Sequence, residues 1–226
     1  MAEIYLVRHG QASFGADNYD QLSDLGHQQS EYLGQYFTDR DINFDHIIIG
    51  TQHRHRQTAE SILGHPLSDS AADYDSHSGL NEYDFSVLYK AFMAQHPDTE
   101  AAAKEGNRRI FYQRLKLALK LWSEDRLTED LPESWTDFKT RVADALTHIQ
   151  NRVTGTCLVV SSGGPISMAI GHILELNPPK IIDLNLQVKN TSFSHIYLGQ
   201  DRMHLSCFNN IPHLDRMDRP DVITYS

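Results

Sequence analysis

The chain has 226 residues, of which 40% are apolar, and carries a formal net charge of −10. That length and apolar content suffice for one domain with a buried core and argue against a disordered chain. The acidic balance opposes nucleic acid and anionic membrane as partners, so an anionic small ligand would need arginines gathered locally against the global field.

Ile4 to Val7 is a short apolar, β-branched run that ends in Arg8-His9-Gly10, which reads as a buried strand with polar residues at its carboxyl end. The N-terminus enters this strand directly and has no secretion-signal pattern, and no run reaches transmembrane length. Ser23 is a good N-cap for a helix from about Asp24 to Phe37. Phe44 to Ile49 reads as a second buried strand, and Gln57 to Leu63 as a helix ended by Gly64, His65 and Pro66. From about 86 to 153 the pattern is helical: Val87, Leu88, Ala91 and Phe92 share one face, Ile110, Leu115, Leu119 and Trp122 mark a long helix, and Ser134 caps a helix with Phe138, Val142, Leu146 and Ile149. Strand character returns at Thr156 to Val160. Gly163-Gly164-Pro165-Ile166 then opens a helix, with Pro165 near its first position. Phe193 to Leu198 and Met203 to Cys207 form a closing hairpin, and the tail after Pro212 is irregular. Cys157 and Cys207 sit in apolar runs without metal-ligand spacing and read as free buried thiols. Together with the missing signal they place the chain in the cytoplasm.

Strands alternating with helices imply an α/β sandwich with a mainly parallel sheet, in which ligands bind beyond the carboxyl ends of the strands. The polar segments expected there are Arg8-His9-Gly10, Thr51 to Arg54, and Ser161-Ser162-Gly163-Gly164. The whole chain, 1–226, reads as a single domain with a helical insertion at about 86–153.

Ile4-Tyr-Leu-Val-Arg-His-Gly-Gln11, followed by Asp20-x-Leu22-Ser23-x-x-Gly26-x-x-Gln29, resembles the opening signature of the histidine phosphatases, the phosphoglycerate mutase-like superfamily. Arg54-x-x-Gln57-Thr58-Ala59 resembles the second signature. Leu80-Asn81-Glu82 resembles the acid-bearing segment, Val159 to Ile166 the late strand-turn-helix, and Asn190-Thr191-Ser192 the polar turn before the last strands. The resemblance implies a three-layer α/β sandwich and a phosphohistidine intermediate on His9. Arg8 and Arg54 would bind the phosphoryl oxygens and Glu82 would serve as general acid. It also implies substrate contacts from Gln11, Ser13, Gly163 and Asn190, a small phosphorylated substrate, and no metal or other cofactor.

Two positions depart from that pattern. Ser162 stands where the superfamily carries a second histidine, which leaves the site one donor short and its activity impaired. Loss of one preorganised donor typically costs about 100- to 1000-fold in rate. Gly15 stands where the family often places a phosphate-contacting asparagine, with Ser13 or Asn18 as the nearby substitutes. Because Gly163 and Gly164 leave room behind Ser162, a histidine is expected to fit there. His53-Arg-His55 lacks an acidic or cysteine partner at ligand spacing and is not a metal motif. Arg56 is a surface charge, and His172 and His195 are structural. Three functions follow, in descending order: a phosphomonoesterase, a pseudoenzyme that binds a phosphorylated ligand, and a phosphoglycerate mutase.

Overall fold

A computed structural model describes residues 2–13, 20–68, 74–96, 108–127, 130–200 and 202–225. Gly15 and Asn18 of the first loop lie outside these residues. The described chain forms a six-stranded sheet and seven α-helices. In chain order these are β1 (Ala2–Arg8), α1 (Asp24–Thr38), β2 (His46–Ile49), α2 (His53–Leu63), β3 (Asp75–Ser76) and a 3₁₀ turn (Ser78–Leu80). Then follow α3 (Phe85–Gln95), α4 (Arg108–Ser123), α5 (Trp135–Arg152), β4 (Thr156–Ser161), α6 (Gly163–Ile173), α7 (Pro178–Asn185), β5 (Phe193–Leu198) and β6 (Met203–Asn210).

The strand order is β3-β2-β4-β1-β5-β6. β3, β2, β4 and β1 run parallel, while β5 is antiparallel to both β1 and β6. Continuous apolar strands suit a sheet covered on both faces. Tyr5, Val7, Leu158 and Val160 pack with Leu33 and Phe37 of α1 and Ala59 and Ile62 of α2. Ile4, Leu6, Cys157 and Val159 point the other way, into a core with Phe138 and Val142 of α5, Ile166 of α6 and Ile181 of α7. The three layers follow from this alternation.

The expected elements are present, α2 starts earlier than expected, and the short strand β3 and the helix α7 are additional. α2 begins at His53, four residues ahead of the expected Gln57. Its cap is not local: the Gln52 side chain makes no capping bond, and Asp20 accepts from the main-chain N–H of His53 at 2.8 Å. α7 was not anticipated, although Asn177 caps it and prolines open it. Ser134 forms a reciprocal capping box with Asp137, as a serine ahead of α5 should. Cys157 and Cys207 are both free thiols, the first fully buried and the second half-buried. Among the described residues no helix is long and apolar enough to cross a membrane.

Candidate active site

With β4 between β2 and β1, the carboxyl ends of three parallel strands lie side by side. Arg8 is in register with Ser161, and the His9 N–H continues the ladder to the Ser161 carbonyl at 2.9 Å. On the other side the Gly50 N–H donates to Val160 at 3.0 Å, and the chain then turns into α2.

His9 is buried, and its tautomer follows from its partners. Nδ1 lies 2.7 Å from the Gly10 carbonyl, which can only accept, so Nδ1 carries the proton. Nε2 faces Arg54 Nε at 3.2 Å, which can only donate, so Nε2 presents its lone pair. Burial holds the imidazole pKa well below its ordinary value, assisted by Arg54 and Arg8. The ring is therefore neutral, and its unprotonated nitrogen is held against Arg54.

Arg54 is buried and held on three sides. It pairs with Asp20 at 2.8 Å, donates to Gln52 Oε1 at 2.8 Å and touches His9. Gln52 Oε1 also accepts the Glu82 N–H at 3.0 Å, so one amide ties the arginine to the acid segment. Arg8 donates to the main-chain carbonyls of Val188 and Tyr225, and its guanidinium lies beside Gly163. The Glu82 carboxylate accepts the Gly164 N–H at 3.2 Å. Burial raises its pKa, against the lowering influence of that N–H, Arg54 and Arg8. A raised pKa shifts the carboxyl in the direction that a general acid needs. Helix α5 steadies this segment: Arg141 donates to the carbonyls of Gly79 at 3.1 Å and Asn81 at 2.7 Å.

The sequence profile of the Histidine phosphatase superfamily (branch 1) matches residues 4–211. The chain belongs to this superfamily. A probable phosphoglycerate mutase GpmB from Enterobacter sp. (strain 638) is 30% identical over 203 residues, 87% of this chain and 85% of that protein. Fructose-2,6-bisphosphatase TIGAR B from Danio rerio is 36% identical over 91 residues, which span 37% of this chain and 35% of the relative. A mutant phosphoserine phosphatase from Entamoeba histolytica, solved with phosphoserine, superposes with a TM-score of 0.62 at 21% identity, covering 95% of this chain and 100% of that one. YhfR from Bacillus stearothermophilus gives a TM-score of 0.67 at 15% identity, covering 94% and 99%. At such identities the structural likeness speaks for the fold alone.

The expected histidine phosphatase residues separate into two groups. His9, Arg8, Arg54, Glu82, Ser162 and Gly163 gather at the strand ends. Gln11, Ser13 and Asn190 also make bonds within the scaffold. Gln11 Oε1 accepts from Ser23 at 2.9 Å, and Ser13 Oγ donates to the Leu22 carbonyl at 2.9 Å, which pins the first loop to the start of α1. Asn190 is fully buried: its Nδ2 donates to the His9 carbonyl at 3.0 Å and its Oδ1 accepts from Thr224 at 2.9 Å. With both ends of the amide engaged, it holds the His9 main chain in place.

His55 was missed. It is fully buried, its ring centroid is 5.7 Å from that of His9, and its Nε2 is 2.8 Å from Ser162 Oγ. It sits directly beside Ser162, so a histidine at position 162 would have to share this space with the His55 ring. Its signal was present once α2 is started at His53: His55, Ala59 and Ile62 then share the inward face. His53 is exposed, so the two histidines do not face one another. Arg56 pairs with Glu60 at 3.0 Å on the outer side of α2.

Proposed function

We propose that the chain is a phosphomonoesterase that carries the phosphoryl group through Nε2 of His9. The observation behind this reading is the fixed tautomer of His9, a neutral ring whose free nitrogen faces a buried arginine. Nε2 attacks phosphorus, the P–N bond forms, and the bond to the ester oxygen breaks. Glu82 gives its proton to the departing oxygen. Its carboxylate then takes a proton from water as the water oxygen attacks phosphorus and the P–N bond breaks. Inorganic phosphate leaves, and both His9 and Glu82 return to their starting forms. Arg8 and Arg54 bind the equatorial oxygens, where positioning and positive charge do most of the work. Substrates are small phosphate esters or peptide-borne phosphate. The chain acts as one domain in a cytoplasmic setting, and its helices between about 86 and 153 are an insertion that supports the acid segment.

A phosphate-binding protein without turnover is the second reading, favoured by Ser162 in the position of the superfamily's histidine. A phosphate-release screen over varied esters, run on wild type beside His9→Ala, separates the two. Release by wild type that disappears in His9→Ala, with an acid-labile phosphoprotein trapped only in wild type, is the expected outcome. Phosphate binding without release from any ester would establish the second reading instead.

A further inference from the structure

The second imidazole of this site has a different address. His55 Nε2 lies 2.8 Å from Ser162 Oγ, and both side chains are wholly buried beside His9. Ser162 is the residue ahead of α6, yet its hydroxyl makes no capping bond to that helix. Serine in this position commonly caps, so its hydroxyl has been given to His55. The backbone is built around the same ring. A Cβ on Gly50 would stand 2.1 Å from His55 Nδ1, so only glycine leaves the imidazole its place. Gly50, His55 and Ser162 therefore form one fitted unit, spread over the ends of β2 and β4.

We propose that His55 is a positioning residue that orients the Ser162 hydroxyl, so that the pair donates to a phosphoryl oxygen where a single imidazole would otherwise stand. This rests on reading the His9 pocket as a phosphoryl site. The hydroxyl can sit either way in this pair. With Nε2 as acceptor, Ser162 turns its proton toward His55 and shows only lone pairs to the pocket. With Nε2–H as donor, the Ser162 proton is released toward the pocket. Nδ1 lies against the Gly50 backbone without a hydrogen bond of full geometry, so that contact favours the first arrangement only weakly. An anionic phosphoryl group selects the second. The chain Nε2–H to Oγ–H to phosphoryl oxygen is then polarised along its length. Burial and Arg54 favour the neutral ring, which leaves this proton exchange open.

The test is a reciprocal exchange on one aryl phosphate: His55→Ala, Ser162→His and the double variant. Losing a direct donor costs about 100- to 1000-fold. An indirect one should cost less, so His55→Ala is expected to lower kcat roughly 10- to 100-fold with little change in KM. Ser162→His alone places two rings in the volume of one and should lower the melting temperature with no gain in rate. The double variant should recover at least about tenfold in kcat over His55→Ala. His55→Gln, which can place an N–H where Nε2 stands, should keep most of the rate, and His55→Asn should not. A folded double variant no faster than His55→Ala, or His55→Ala turning over at the wild-type rate, would overturn the proposal. If wild type releases no phosphate from any ester, the phosphomonoesterase reading fails by itself. Titration of the same proteins with orthovanadate then decides the pair: weaker binding in His55→Ala and recovery in the double variant support it, and equal affinity across the set, or none in wild type, sinks it.

Discussion

Two strand-to-helix turns face each other across the site, and both helices are capped from a distance by a carboxylate. At α2 the cap is Asp20, which also pairs with Arg54 and is 38% exposed at its side chain. At α6 it is Glu82, which accepts the Gly164 N–H and whose pKa is raised by burial. The same hydrogen-bonding geometry yields opposite chemistry. The partly solvated carboxylate anchors a cation, and the buried one is shifted toward keeping its proton. The turns divide the remaining labour in the same way. The α2 wall supplies side chains, Arg54 and His55. The α6 wall carries the Ser162 hydroxyl followed by glycines, which let the opposite groups approach the main chain.

Removing the cation from the α2 wall should break this division most severely. Arg54→Ala is expected to lower kcat/KM by about 100- to 1000-fold, the range for loss of one preorganised donor. Arg54→Lys should recover little of it. A lysine keeps the charge but cannot reach Asp20, Gln52 and a phosphoryl oxygen with one planar fork. Steady-state kinetics on one ester decides the matter, and a loss of less than about threefold would place Arg54 outside the phosphoryl site.

The two close-approach glycines give a smaller effect that sharpens the contrast. An added Cβ at Gly164 would lie 2.2 Å from Glu82 Oε1 and 2.6 Å from the Tyr83 ring, while one at Gly50 would meet the His55 ring. Overpacking of this kind costs about 1–3 kcal/mol, so Gly164→Ala and Gly50→Ala should destabilise comparably in denaturant unfolding. Their kinetic signatures should differ. Gly164→Ala displaces the acid, so esters with poor leaving groups should slow more than those with good ones. Gly50→Ala displaces the ring proposed to orient the Ser162 hydroxyl, so both kinds should slow alike. Identical leaving-group dependence in the two variants would remove the distinction between the walls.

What the sequence revealed and what it hid divide along the same line. Strand cores such as Ile4 to Val7 and Thr156 to Val160 are legible because burial on both faces leaves continuous apolar runs. Ser134 announces α5 because its cap is three residues away. The start of α2 was hidden because its cap comes from Asp20, over 30 positions earlier. That error placed His55 ahead of the helix, and with it went the inward face that buries the ring. Asn190 shows the converse. Its segment is recognisable by resemblance, but whether an amide faces a ligand or a neighbouring carbonyl depends on Thr224 and the returning C-terminal tail. Motif residues were legible, and the partners that set their roles were not.

The smallest effect concerns how the walls respond to acid. His9 and His55 have pKa values pushed well below 6.5, and that of His213, away from the site, is lowered to about 3, with burial the main cause in each. The charges that face them act in the same direction: Arg54 and Arg8 on His9, Arg54 on His55, and Arg219 on His213. Between the folded values and 6.5 the unfolded chain binds protons that the fold refuses. Stability therefore rises with pH, is fully present above about 6.5, and is lost as pH falls below it. Each such histidine contributes a slope of at most about 1.4 kcal/mol per pH unit. Glu82 acts the other way. Its folded pKa lies above the ordinary 4.5, so its contribution is present below that value and is lost as pH rises through the folded one. Denaturant unfolding at about pH 5.5 and about pH 7 should show wild type less stable at the lower pH. His55→Gln and His213→Gln should each flatten the difference by about 1 kcal/mol, since each deletes one refused proton. Glu82→Gln should not flatten it, because the contribution that it removes has the opposite sign. A wild-type slope unchanged by His55→Gln would mean that the ring beside Ser162 takes up its proton as readily in the fold as in the unfolded chain. The neutral pair drawn between the two walls would then be wrong even if the hydrogen bond itself survives.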